Sequence, residues 1–350
     1  MPSLPSDDNN ASSQLHTTLV DSITHALSTR KPLLTHLNAD TTWLLCIPYP
    51  KTTASRSGRR YFHILIDPWL RGGQSDVAKF FSQQWHAQES AVQSISEVEN
   101  LIKGVEEAAR DRLSPSGDTI VVDDGSEGMD WETSNEKEAD KDNHNGESWI
   151  DAVVVSHEFT DHMHKDTLLE ITPSVPIFAA TKAASAIRSW RHFDFVSEIP
   201  RFGGDWRTSS TKPLPEWIGI SRVAYPGNDL LYYHSAVMIA FSGDANEDAE
   251  AVIYTPHGIS PADMAPVSKA KPSIKTLALL HGLQDISLGA QLNMGAHNGL
   301  KVHRLLGAKY WIGTHDEVKK GGGDGEGEGG DGEWGGGKGW CVGEFGGSEV

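Results

Sequence analysis

The feature that most restricts the fold is a series of short apolar runs between residues 151 and 312, which alternate with helical and turn-rich segments. The first run, Asp151-Ala-Val-Val-Val155, is almost entirely β-branched, as is typical of a strand that is buried on both faces. Helices are predicted at residues 182–190, with Thr181 as the N-cap, and near residues 299–306. Further strands are predicted at residues 175–179, 217–224, 236–241, 251–254, 276–280 and 309–312. This alternation predicts an α/β fold with a largely buried sheet.

The N-terminal part of the chain adds a predicted β-hairpin. Residues 42–47 and 61–66 are rich in aliphatic, aromatic and β-branched side chains, and a turn-prone segment at residues 51–58 separates them. A helical stretch is predicted at residues 75–103. The α/β pattern therefore begins well upstream of residue 151.

Three segments have the composition of disordered chain. Residues 1–14 are polar, residues 114–148 are acidic and rich in Gly, Ser and Asn, and residues 321–347 are mostly glycine with Asp and Glu. Such segments bury too little apolar surface to offset the entropy of ordering. We therefore predict a disordered tail at residues 1–14, a single domain at residues 15–317 with an acidic insertion at about 114–148, and a Gly-rich disordered tail at residues 318–350.

Composition excludes several classes of protein. The chain has 350 residues, of which 38% are hydrophobic, and it can fill a large core without disulfide staples. A net charge of −18 argues against nucleic acid as a partner, because phosphate binding needs clustered lysine and arginine. Cys46 and Cys341 lie too far apart in sequence for a CxxC zinc site, and they favour a reducing compartment. With neither a signal peptide nor a membrane span in the sequence, we expect a cytoplasmic protein.

Histidines follow several of the predicted strands. His157, His257, His281 and His315 each come just after an apolar run, and strand ends at one edge of a sheet meet in space. A single histidine at a strand end is most often structural, but four of them, together with the cluster His157-Glu-Phe-Thr-Asp161-His162, favour a metal site. Imidazole and carboxylate are the groups that hold zinc in catalytic sites, where water takes an open position.

Three segments together resemble the metallo-β-lactamase superfamily. They are Ile64-Leu-Ile-Asp67-Pro68, Ser156-His157-Glu-Phe-Thr-Asp161-His162 and Tyr310-Trp-Ile-Gly-Thr-His315-Asp316. The pattern is most similar to the lactonase and phospholipase D-like branch, and the resemblance spans about residues 42–317. It implies a four-layer αββα sandwich. It also implies that Asp67 lies beside the metal ligands without binding the metal itself.

The resemblance implies a set of metal ligands that departs from the family's H-x-H-x-D-H motif. The second histidine of the motif is replaced by Phe159, which cannot bind a metal. The family's first site therefore loses one of its ligands. The residues that match the remaining ligand positions are His157, Asp161, His162, His234 and His315.

The family's metal-bridging aspartate can be assigned in two ways. In Ala251-Val-Ile-Tyr-Thr-Pro-His257, the aspartate is replaced by His257, whereas an alternative register places Asp244 of Ser242-Gly-Asp244 in this role. We prefer His257, because Asp244 follows His234 too closely for the usual two strands between them. A neutral imidazole in place of an anionic bridge removes charge that would offset two dications. The expected centre is therefore mononuclear.

The implied cofactor is one divalent ion, zinc, with manganese or iron as alternatives. Asp161, His162 and His315 would hold it and leave a position open, with His257 as a fourth ligand or an acid–base group. The implied activity is a hydrolase that uses metal-bound hydroxide on an ester, lactone, amide or phosphodiester bond of a small-molecule substrate. Asp161 would orient the hydroxide and accept its proton, and His257 would stabilise the oxyanion or protonate the leaving group.

Phe159 and His257 also motivate an alternative, in which the protein keeps the fold, has lost metal chemistry and serves as a binding protein. Buried unpaired imidazoles and carboxylates cost free energy, which favours the enzyme.

Two further histidines are expected to have structural roles and not to bind the metal. His164 is expected to be exposed or to cap a helix at residues 164–170, and His281 to line a pocket or form hydrogen bonds. No feature of the sequence indicates an oligomeric state.

Overall fold

The computed structural model describes residues 21–51, 53, 58–75, 83–111, 147–225, 234–243, 248–287, 291–317, 319–321 and 342–344. The predicted tail at residues 1–14 lies outside these ranges, as do Asp244, Cys341 and most of the segments predicted as an acidic insertion and a Gly-rich tail. Among the described helices, none combines the length and the apolar character that crossing a bilayer requires.

Two mixed β-sheets form the centre of the fold. The strands are β1 (Leu33–His36), β2 (Trp43–Pro48), β3 (Tyr61–Ile66), β4 (Ala152–Val155), β5 (Ile177–Ala179), β6 (Val196–Glu198), β7 (Ile218–Val223), β8 (Ala236–Phe241), β9 (Ala249–Thr255), β10 (Ile274–His281), β11 (Ile286–Ser287), β12 (Gln291–Asn293), β13 (Tyr310–Ile312) and β14 (Val342–Glu344). The first sheet has the order β14-β1-β2-β3-β4-β5-β6 and the second has the order β13-β10-β9-β8-β7, while β11 and β12 pair with each other.

Each sheet combines parallel and antiparallel pairing. Strands β3 to β6 run parallel in the first sheet, and β9, β10 and β13 run parallel in the second. The predicted hairpin is confirmed, because β2 and β3 are antiparallel with Trp43 opposite Ile66 and Pro48 opposite Tyr61. The carboxyl ends of the parallel strands β3 and β4 therefore lie at one edge of the first sheet.

Alternating side chains separate the interior into layers. In β2, Trp43, Leu45 and Ile47 belong to the core between the two sheets, whereas Leu44 and Cys46 face the helices on the other side. Strand β9 alternates in the same way between the inter-sheet core and the outer core of the second sheet. Successive residues of a strand point to opposite faces, so a strand covered on both sides is apolar throughout.

Helices cover the outer faces of both sheets. Residues 21–29 (α1), Ile95–Asp111 (α2), Lys165–Leu169 (α3) and Thr181–Ser189 (α4) contribute to the core outside the first sheet. Pro261–Met264 (α5) and Ala296–Leu306 (α6) contribute to the core outside the second sheet. The order of layers is helix, sheet, sheet, helix, which confirms the predicted four-layer αββα sandwich.

The prediction of a helix at residues 75–103 is wrong at both ends. Helix α2 begins at Ile95 and ends at Asp111, and the residues from 83 to 94 are not helical. The start is set by a reciprocal cap: Ser94 Oγ accepts a hydrogen bond from the Glu97 amide, and the Glu97 carboxylate accepts one from the Gln93 amide. This is a variant of the capping box in which the Glu97 carboxylate reaches the amide before the N-cap residue, and it marks the start of the helix.

Two further predictions need correction. Thr181 does not cap α4, because it is the first helical residue, the preceding Ala180 is the N-cap, and the Thr181 hydroxyl donates to the Glu198 carboxylate. The Gly-rich tail predicted to be disordered contains strand β14, which pairs antiparallel with β1. Main-chain groups at the edge of a sheet can pair with a segment whatever its side chains, so composition alone did not exclude this pairing.

Candidate metal centre

The site begins in the loop that follows β4. His157, Asp161 and His162 are buried in this loop, and the amides of His162 and Met163 both donate to the carbonyl of Phe159. This turn folds residues 157–163 back on themselves, so that side chains close in sequence also lie close in space. The Phe159 ring, at the position of the missing histidine, stacks beside His157 with 6.1 Å between centroids.

Two overlapping groups of side chains could each hold a metal ion. Potential ligand atoms of His157, His162 and His257 lie within 4.8 Å of one another, and so do those of Asp161, His162 and His315. His257 follows β9 of the second sheet, and His315 follows β13. The site therefore forms where strands of both sheets end, and His162 belongs to both groups.

Each histidine of the two groups has its Nδ1 atom within hydrogen-bond distance of a neighbouring oxygen. This arrangement fixes the ring orientation and leaves Nε2 as the atom available to a metal, as is usual for metal-binding histidines. The pairs are His162 with Asp67 Oδ2 at 2.7 Å, His257 with Asn293 Oδ1 at 2.7 Å, His157 with Ser156 Oγ at 2.9 Å and His315 with Asp40 Oδ1 at 3.1 Å.

The Nε2 atom of His162 shows that the centre fits a metal ion. It is buried and has no hydrogen-bond partner among the residues that the structure describes, and the nearest carboxylate oxygen, Asp161 Oδ1, is 3.7 Å away. A buried polar atom without a partner is costly, and coordination to a metal would remove this cost. Three imidazoles, or two imidazoles with one carboxylate, are donor sets that zinc takes.

Asp67 lies behind the histidines, as the resemblance implies. Its carboxylate accepts hydrogen bonds from the Ser156 amide at 2.7 Å, from the Ser156 hydroxyl, and from the ring of His162. Because Ser156 in turn contacts His157, a single carboxylate orients two potential ligands. Asp67 has a φ of 44° and His315 one of 58°, in a region that residues with a side chain seldom adopt. Backbone strain of this kind collects at functional sites.

A cation that sequence reasoning missed lies inside the centre. Lys319 Nζ donates to Asp161 Oδ2 at 2.5 Å and lies 3.0 Å from Asp40 Oδ2 and 5.4 Å from the centre of the Trp69 ring. No local pattern marks Lys319, since it follows the last motif in a segment with no strand or helix signal. Asp40 and Asn293 were also missed, because each acts through a histidine that is distant in the chain, and Ser156 was part of the quoted motif but was given no role.

Burial and neighbouring charges shift several pKa values in the centre. Burial favours a neutral Asp161, but the ammonium of Lys319 and the nearby histidines hold its pKa well below the ordinary range. Burial also opposes protonation of His162, yet the carboxylates of Asp161 and Asp67 raise its pKa. His257 has a pKa well below the usual value, because it is buried and surrounded by other histidines. Burial disfavours the charge of Lys319, but Asp161 and Asp40 raise its pKa.

The other histidines lie outside both groups. His234 contacts the carbonyl of Leu292 through Nε2 at 3.1 Å and belongs to neither set of potential ligands. Its role as a metal ligand stays a prediction from the resemblance. His164 caps α3 by accepting a hydrogen bond from the Thr167 amide, and His281 contacts Gly282 O and Asn298 Oδ1. These two positions agree with the capping and hydrogen-bonding roles predicted for them.

Comparisons with known proteins find similarity of structure only. No family model and no curated protein sequence matches the chain. A possible metal-dependent hydrolase from Veillonella parvula is 15% identical, with 81% of this chain and 84% of that chain covered and a TM-score of 0.44. An isothiocyanate hydrolase from Delia radicum gut bacteria is 13% identical, with the same coverage and a TM-score of 0.44. The metallo-β-lactamase fold protein YhfI from Bacillus subtilis is 12% identical, with 81% and 87% covered and a TM-score of 0.35.

The four layers and their strand order define the architecture independently of these likenesses. The chain has a four-layer αββα fold, the architecture that the resemblance in the sequence implied. Because the identities and TM-scores are low, only the residues of the chain itself support a function.

Proposed function

We propose that the protein is a metal-dependent hydrolase with one divalent ion, zinc being the first candidate and manganese or iron the alternatives. The observation that carries the proposal is the convergence of four histidines, each held through Nδ1, around the buried Nε2 atom of His162. A structural core has no need for such an arrangement, because every one of these rings could have been an apolar side chain at lower cost.

A single ion follows from the overlap of the two groups. Both groups of three need His162, and one Nε2 atom coordinates one ion. A second ion would have at most two of the remaining ligands, fewer than the three protein ligands that catalytic zinc sites have. The absence of His234 from both groups strengthens this argument.

A bound divalent ion lowers the pKa of water to about 7 and thereby supplies hydroxide at neutral pH. The Asp161 carboxylate stays ionised and can orient this water by accepting a hydrogen bond, but its low pKa makes it a weak proton acceptor. His257 stays neutral because of its low pKa, which favours a role as ligand over that of a proton donor. The proposed substrate is a small molecule with an ester, lactone, amide or phosphodiester bond.

A second candidate function is supported by Lys319. Its ammonium group already forms ion pairs with both Asp161 and Asp40, at a place where a metal ion could otherwise lie. A protein that binds no metal and has kept the fold for binding would be consistent with this ion pair. In either case we propose a reducing compartment such as the cytoplasm, in keeping with the free, buried Cys46.

Metal content distinguishes the two functions. We expect about one zinc, manganese or iron per chain, by elemental analysis, in protein purified without chelator or polyhistidine tag. His162→Ala should lose the metal, because both groups include this residue, whereas His297→Ala, on the exposed surface of α6, should keep it. Unchanged circular dichroism verifies that His162→Ala is folded. If the unsubstituted protein contains no metal, the second candidate function, a binding protein, is supported instead. If metal is present, the next experiment is a screen of esters, lactones and phosphodiesters as substrates.

A further inference from the structure

We infer that Lys319 takes the place of a second metal cation, so that the resident ion binds to His157, His162 and His257 and not to the group that contains Asp161. The inference rests on the proposed function and deepens it by choosing between the two overlapping groups. It differs from the prediction made from the sequence, in which Asp161, His162 and His315 are the primary ligands.

A metal ion in the second group and the ammonium group of Lys319 would share one carboxylate, that of Asp161. Asp161 is the only carboxylate in the two groups, and its Oδ2 atom accepts a hydrogen bond from Lys319 at 2.5 Å. The same oxygen lies 3.9 Å from His315 Nε2. A metal bound between Asp161 and His315 would therefore lie against the ammonium group of Lys319, and two cations at this distance repel each other strongly in a buried site.

Lys319 also supplies positive charge to two buried carboxylates. The side chains of Asp40 and Asp161 are 0% and 8% exposed, and both contact Lys319 Nζ. Two buried carboxylates need a compensating cation. Lys319 provides one positive charge for this pair within the chain itself, at the position between the two carboxylates that a second ion would need. The group of His157, His162 and His257 contains no carboxylate, whereas Lys319 Nζ forms its hydrogen bond with Asp161 and lies 3.0 Å from Asp40.

Backbone hydrogen bonds hold the main chain next to Lys319 in place. Trp85 and Lys320 exchange two backbone hydrogen bonds, of 2.8 and 2.9 Å, which fix the segment beside Lys319 against the loop at residues 83–86. Lys319 Nζ also lies over the Trp69 ring, 5.4 Å from its centroid. The ammonium group is therefore held at a defined position between the two carboxylates.

The test is a zinc titration of the full-length, metal-stripped protein by calorimetry, with bound zinc counted by elemental analysis after dialysis. The unsubstituted chain should bind one equivalent. Lys319→Met should bind a second equivalent, because it frees Asp40 Oδ2, which together with Asp161 and His315 would give a second ion three ligands without His162. Lys319→Met/Asp161→Asn should lose that second equivalent again. Lys320→Met removes a neighbouring, exposed ammonium group and should bind one equivalent. Two equivalents in the unsubstituted chain, or an unchanged single equivalent in Lys319→Met, would overturn the inference.

A second measurement applies if Lys319→Met does not fold. With Lys319 in place, His157→Ala should weaken zinc binding by at least about 100-fold, since loss of even an outer partner of a ligand costs about 10- to 100-fold. His315→Ala should weaken it less than about tenfold. The reverse ranking would place the ion on the Asp161 group, which would contradict this inference but leave the proposed function intact. If the unsubstituted chain bound no zinc, the proposed function would be contradicted as well.

Discussion

At the scale of single residues, the centre depends on side chains that orient the potential ligands. Asp67 is the most connected of these, because it contacts His162 directly and reaches His157 through Ser156. A carboxylate behind a histidine fixes its tautomer and increases the basicity of the nitrogen that faces the metal. Asp67 is therefore where a small chemical change should alter metal affinity without removing a ligand.

We expect Asp67→Asn to lower zinc affinity by about 10- to 100-fold, since an amide is a poorer partner for the two ligands than a carboxylate. Competition with a chromophoric chelator measures the affinity. Asp166→Asn, an exposed substitution at the start of α3, is the matched control and should leave the affinity unchanged. Equal affinities in the two variants would show that Asp67 supports only the backbone of the loop.

The candidate site was predictable from the sequence where its residues are local. His157, Asp161 and His162 share one loop with a recognisable motif, and His257 and His315 follow apolar strands. Lys319 was not predictable, because its partner Asp161 is 158 positions away and leaves no periodic trace. His234, which the resemblance also implied as a ligand, belongs to neither group, and order along the chain does not fix which residues meet.

At the scale of secondary-structure elements, helix α2 is tied to β3 by one buried carboxylate. Glu106 accepts hydrogen bonds from the amides of Arg60 and Tyr61, at 2.7 and 2.9 Å, and lies 2.9 Å from His63 Nε2. Burial favours the neutral acid, but the His63 ring and the two amides outweigh it and lower the pKa of Glu106. These contacts hold the outer helix layer on the first sheet.

We expect Glu106→Gln to destabilise the fold at pH 7 by about 2–4 kcal/mol, because an amide nitrogen would face buried donors. Denaturant unfolding measures the change, and Glu107→Gln, on the exposed side of the same helix, should have little effect.

The same variant has a predicted pH dependence. Because the pKa of Glu106 is lowered in the folded protein, its contribution is complete above the ordinary glutamate value of 4.5 and is lost as the pH falls through the folded-state pKa. The difference in stability between Glu106→Gln and the unsubstituted chain should therefore narrow below about pH 4.5. A difference that stays constant down to pH 3 would contradict the assignment of a charged Glu106.

At the scale of the whole molecule, a segment far along the chain completes the first sheet beside β1. Strand β14 pairs with β1 through residues 342–344 and gives the first sheet its outer edge. A three-residue edge strand forms few hydrogen bonds, each with a net contribution of about 1 kcal/mol.

We expect deletion of residues 322–350 to lower the melting temperature by several degrees and to leave zinc content unchanged, because Lys319 and the Trp85–Lys320 pairing are retained. Differential scanning calorimetry and elemental analysis measure the two quantities. An unchanged melting temperature would mean that β14 adds nothing to stability, and lost zinc would mean that this segment supports the centre.

The sequence by itself determined the features that depend on neighbouring residues. Continuous apolar runs such as Ala152–Val155 specify buried strands, and the motif at residues 157–162 predicts a loop of potential metal ligands. Both are patterns among residues that are neighbours in the sequence. Only the tertiary structure decided that His162 serves two groups at once and that Lys319 neutralises Asp161. These contacts join strand ends and loops that are far apart in the chain, and packing of the two sheets, which no local pattern encodes, is what brings them together.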